Sequence, residues 1–171
     1  PRTGESEAMT PSATTPPPSF EPHMSFELYW KDAFIRLFEM CKAHDGETVT
    51  ILTESLSRQV NVMLASAALA EMRVPAAILN VQSKPPAPGM PVIRSTGASN
   101  ALSGESEALA QLQTSDLVID LTVEGLMHAP ETPAVLKAGA RIMTISNEHP
   151  EILARLRPDP AMKDLVRASV A

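Results

Sequence analysis

Cysteine is almost missing from this 171-residue sequence: the one thiol, Cys41, excludes an internal disulfide and any paired-cysteine metal motif. Positive charge is also short, with 14 Lys and Arg against 20 Asp and Glu and a formal net charge of -6. No basic stripe is left for a phosphate backbone, so no nucleic-acid partner is expected. No apolar run reaches the length of a membrane span, and no basic start followed by an apolar stretch reads as a secretion signal. A membrane is therefore not an expected partner, and a reduced, cytoplasmic setting is. Aromatic residues make up 4% of the chain while Met numbers 9, so the core must be aliphatic.

Glycine, at 7 residues, is missing where nucleotide binding would need it. The turn between the first strand and its helix reads Thr53-Glu54-Ser55-Leu56-Ser57; it offers no close backbone approach to a pyrophosphate, and Glu54 would repel one. Neither a Walker pattern nor a Gly-x-Ser-x-Gly nucleophile elbow occurs.

What is present alternates. Short apolar runs predict strands over Thr48–Thr53, Ala76–Val81, Asp116–Leu121 and Arg141–Ile145, separated by helical patterns. The stretch from Ser115 to Glu148 contains a whole strand, helix, strand unit. Leu117-Val118-Ile119-Asp120-Leu121 has the continuous apolarity of a strand covered on both faces. Thr132-Pro133 offers a capping hydroxyl and a proline at the first helical position, and Gly139 a left-handed stop. The expected fold is α/β: a three-layer, Rossmann-like parallel sheet of about four strands flanked by helices.

Residues 1–24, rich in Pro, Ser and Thr, are expected to form a disordered tail, and 25–171 one α/β domain. A helix is expected from a cap at Ser25 to Ala43, carrying Phe26, Tyr29, Trp30, Phe34, Leu37, Phe38 and Cys41 at helical spacing. Its wide aromatic face predicts packing on the sheet or on a second subunit, in a homo-oligomer, and makes Cys41 a buried thiol. Ser57 opens the second helix, which runs to Met72. Residues 82–100 hold too many Pro and Gly for a regular element and form a surface connection. A further helix falls between Ala98 and Gln113. The last helix, after Asp159-Pro160, runs to Ala171 without a stop signal, so the domain reads as cut before a further one.

Open parallel sheets bind ligands at the carboxyl ends of their strands. That edge carries Thr53, Glu54, Asp120, Thr122, Glu124, His128, Ser146, Asn147, Glu148 and His149. Glu54, Asp120, His128, Glu148 and His149 are the catalytic candidates, because converging carboxylates and imidazoles supply a general acid and base or bind a divalent metal. The structural alternative is that such residues only finish strands and start helices, with Asn147 capping the helix that follows.

Three strings carry a resemblance: Ser115-Asp116-Leu117-Val118-Ile119-Asp120; His128-Ala129-Pro130-Glu131 with Val135 to Ile142; and His149-Pro150-Glu151-Ile152-Leu153-Ala154-Arg155-Leu156. From about Phe26 onward the chain resembles the amino-terminal part of the 2,5-dihydroxypyridine dioxygenases and of the related aminopeptidase T-type metallo-aminopeptidases. The resemblance implies Fe(II) or another divalent metal held in a second, downstream domain, so no metal ligand and no cofactor is assigned to this chain. It implies a small aromatic substrate for a dioxygenase or a short peptide for an aminopeptidase. An interaction module without chemistry of its own is the third reading.

Overall fold

The computed structural model describes residues 28–85, 96–156, 159 and 161–170. The tail over 1–24 and the cap at Ser25 lie outside them. In chain order the elements are α1 Leu28–Met40, β1 Val49–Glu54, α2 Gln59–Glu71, β2 Ala76–Val81, α3 Ser106–Gln113, β3 Leu117–Asp120, α4 Thr132–Lys137, β4 Arg141–Thr144, α5 Pro150–Arg155 and α6 Met162–Val170. The four strands form one parallel sheet in the order β2-β1-β3-β4. Each expected strand is found, and the fold class is as read. Among the described residues no helix is long and apolar enough to cross a membrane.

Side chains alternate across a strand, and here both faces are covered. Val49 and Ile51 of β1 with Leu117 and Ile119 of β3 point to one side, where they meet Phe34, Phe38, Leu64 and Leu69 of α1 and α2. Leu52 and Val118 point to the other, where they meet Leu112 and Val135 of α3 and α4. This makes three layers. α1 lies against both α2 and α5, and α3 against α4.

Part of the aromatic face of α1 is taken up inside the chain, while Tyr29 stays exposed. Phe34 and Phe38 are fully buried and meet edge to face, with ring centroids 6.1 Å apart. Each contributes about 1.5–3 kcal/mol from burial. Trp30 packs beside this core, and its indole donates to Glu151 at 2.9 Å. Cys41 is half-buried against the same cluster, and burial pushes its thiol up, with Arg141 opposing. That is the thiol of an inert core residue.

Three residues with the chemistry of helix caps do not cap the helices beside them. The Ser57 hydroxyl donates to the Leu121 carbonyl at 2.7 Å and accepts from the Glu54 amide at 2.8 Å, so α2 begins two residues later, after Arg58, without a side-chain cap. The Thr132 hydroxyl donates to the Leu126 carbonyl, and Glu131 occupies the cap position of α4. At α5 the cap is His149, whose Nδ1 accepts from the Glu151 amide at 3.2 Å; Asn147 is not the cap. Ser57 thus reaches a carbonyl 64 residues away and Thr132 one six residues back. Gly139 does end α4, at φ 105°.

Candidate functional site

Because all strands run parallel, their carboxyl ends lie on one edge. β1 has β2 on one side and β3 on the other, so the connections diverge there and open the crevice in which such sheets hold ligands. The structure divides the expected rim residues into three groups.

The first group is turned inward. Glu54, the last residue of β1, is buried, and its Oε1 accepts the Val123 amide at 2.6 Å. Asp120, the last residue of β3, is fully buried. Its Oδ1 accepts the Thr122 amide at 3.0 Å and the Thr122 hydroxyl at 2.6 Å, and its Oδ2 accepts the Leu126 amide at 2.7 Å. Burial pushes the Asp120 carboxyl up, while the bonds from Thr122, Leu126 and Thr144 pull it down. Buried carboxylates fully supplied with donors hold backbone in place.

The second group stands over the rim. The Gly97 amide donates to the Glu124 carbonyl at 2.9 Å, the Ser99 amide to the Gly125 carbonyl at 2.9 Å, and the His128 amide to the Gly97 carbonyl at 2.5 Å. These bonds lace residues 97–99 to 124–128. The His128 ring is exposed and lies over Gly97, where an added Cβ would come 3.2 Å from its Cδ2. The Thr96 hydroxyl donates to the Glu124 carboxylate.

The third group follows β4 and faces α1 and α2. Ser146 has φ 54°. Asn61, fully buried on α2, donates to the Glu148 carbonyl at 2.8 Å, and Arg58 Nε to the Asn147 carbonyl at 3.4 Å. The Oδ1 atoms of Asn61 and Asn147 are buried without a protein partner. The His149 ring meets Trp30 edge-on, centroids 5.5 Å apart. Glu148 contributes its backbone, and its side chain shares no contact with Glu54 or Asp120. The five catalytic candidates thus do not form one constellation.

Ser57, Gly97, Gly125 and Asn61 shape this edge and were not singled out for it in the sequence. Gly125, between a strand and a helix, carried the one local signal; the others act through partners 27 or more residues away, which no local pattern shows.

A divalent metal does not fit these residues. Among the described residues no group of three or more His, Cys, Asp or Glu is placed to hold one, and the oxygens of Asp120 are engaged by amides and hydroxyls.

Architecture and edge together define an open, parallel α/β domain whose ordered loops crowd the carboxyl ends of its strands. A family model described as NicX, 2,5-dihydroxypyridine 5,6-dioxygenase, matches residues 29–171, and the chain belongs to that family. It is 31% identical over 138 residues to the 2,5-dihydroxypyridine 5,6-dioxygenase of Pseudomonas putida KT2440, an alignment covering 80% of this chain and 38% of that protein. The solved structure of 2,5-dihydroxypyridine dioxygenase from the same organism superposes with a TM-score of 0.70 at 25% identity, again over 78% of this chain and 38% of the other. The chain therefore spans well under half the length of these relatives.

Proposed function

We propose that this chain serves as the amino-terminal domain of a metal-dependent, ring-opening dioxygenase acting on a dihydroxypyridine, with a non-haem iron held by residues outside those described here. The observation that carries this reading is the match to the Pseudomonas putida dioxygenase in both sequence and fold over the same part of the chain. The rim geometry supports it. Its buried carboxylates, Glu54 and Asp120, are bonded to backbone amides, which suits a wall of an active site, and His128 is an exposed imidazole beside Gly97 at that rim. In this role His128 faces the substrate and handles the proton of a ring hydroxyl. No step is assigned to the metal in this chain.

The test is a chimera in which residues 28–171 replace the matching part of the Pseudomonas putida enzyme, assayed with Fe(II) for oxygen uptake on 2,5-dihydroxypyridine. Turnover by the chimera, with none by the 171-residue chain alone, is the expected result. A folded, iron-loaded chimera that is inert would overturn the reading, and so would metal-stimulated turnover by the isolated chain. Release of amino-acyl anilide product would point to the aminopeptidase reading instead.

A further inference from the structure

We infer that Glu54 and Asp120 are positioning residues: carboxylates at the ends of β1 and β3 that fold the turn Leu121–Leu126 and thereby set His128 over the rim. The inference deepens the proposed function and rests on it only in taking His128 as the group that faces substrate.

Three amides of this turn, those of Thr122, Val123 and Leu126, end on carboxylate oxygens. The turn has no strand or helix ladder to satisfy them, and buried amides need partners. Two clamps close its start. Ser57 Oγ holds the Leu121 carbonyl while accepting from the Glu54 amide, and Glu54 Oε1 holds Val123. Asp120 Oδ2 then fixes Leu126, two residues before His128. From Leu126 the chain passes to the Ala129 amide, which donates to the Leu126 carbonyl at 3.0 Å, and to His128, pinned on Gly97. A base or a metal ligand must show a lone pair to its partner, and an acid its proton. Asp120 is fully buried and uses both oxygens on the turn.

Amide substitutions separate the roles. In Glu54→Gln the side-chain carbonyl can still accept from Val123, whereas Glu54→Ala leaves that amide bare. In Asp120→Asn one oxygen becomes an NH2 that must face either Leu126 or Thr122, donor against donor. A proton-transfer or ligand role would make both amide variants equally damaging.

The readouts are amide hydrogen exchange and the NMR chemical shifts of the His128 imidazole at fixed pH, both in the 171-residue chain. Glu54→Gln is expected to keep Val123 exchange within about threefold of the parent, and Glu54→Ala to speed it at least about tenfold. Asp120→Asn is expected to speed Leu126 exchange by at least about tenfold, and it and Glu54→Ala move the His128 ring resonances while Glu54→Gln does not. If Asp120→Asn does not fold, the Glu54 pair decides on the same two readouts. Glu54→Gln behaving like Glu54→Ala would overturn the inference, as would a folded Asp120→Asn with unchanged exchange and an unmoved His128. In the chimera, turnover lost in Glu54→Ala is expected to return in Glu54→Gln. The NMR readings need no turnover, so failure of the dioxygenase reading leaves them to stand or fall alone.

Discussion

Gly125 lies against Ser146 across the ends of β3 and β4: at φ 81°, an added Cβ would overlap the Ser146 hydroxyl and sit 2.9 Å from Thr144 Cγ2. The two loops that follow the paired strands therefore touch backbone to side chain, with no room between them. Gly125→Ala is expected to cost about 3 kcal/mol, from backbone strain and steric overlap together. Gly139, at φ 105° with nothing within 4 Å of its missing Cβ, is the control. Gly139→Ala should cost only the backbone share, about 1 kcal/mol. Urea unfolding midpoints compare the two directly.

Glu151 contributes to the acid limb of stability. The Tyr29 hydroxyl, the Trp30 indole and Arg155 hold its carboxyl well below the usual range, pushed down from 4.5 to about 2. A depressed carboxylate stabilises the fold above its unfolded value, and that contribution is lost as pH falls from near 4.5 toward 2. Glu151→Gln should flatten the loss over that window and leave a smaller stability at pH 7. Thermal midpoints measured from pH 7 down to pH 2 check it.

Phe38→Ala is expected to destabilise the domain by about 3–5 kcal/mol, since it empties a fully buried site and removes the edge-to-face contact with Phe34. Because this face of α1 covers its own sheet, the variant should raise self-association by loosening the core. A face reserved for a second subunit would give the opposite. Light scattering during size-exclusion chromatography distinguishes the two.

Asn61→Asp changes one atom type and should cost about 3 kcal/mol, because the Nδ2 that donates to the Glu148 carbonyl becomes an oxygen facing an oxygen in a buried site. Chemical denaturation against the parent measures it.

The strands were legible because their pattern is local: Leu117 to Ile119 are apolar in a row, and both faces are covered. Pro133 and Gly139 were legible for the same reason, since a fixed φ and a positive φ act on the residue that has them. Ser57, Thr132 and Asn147 misled because a hydroxyl or amide beside a helix start looks the same whether it caps that helix or reaches a loop 64 residues away, as Ser57 does. The rim residues were correctly placed on one edge, which follows from parallel strands alone. Their division into three groups was not legible. It depends on the register that sets Leu52 beside Asp120 and on the path of residues 121–128, both of them products of the folded chain. The aromatic helix was read correctly as amphipathic; that α5 as well as α2 takes up part of its face depends on distant pairing that no local pattern shows.

β1 and β3 are direct neighbours, yet Thr48 and Asp116, which meet at the start of that pairing, are 68 residues apart. At synthesis rates of about 5–20 residues per second, roughly 3–14 seconds pass between the emergence of one and of the other. Throughout that interval β1 can pair only with β2, and a two-stranded sheet has little stability of its own. Val49–Glu54, a six-residue run with high β-propensity, then waits with one hydrogen-bonding edge bare, and an unpaired edge of that kind is where incomplete chains aggregate.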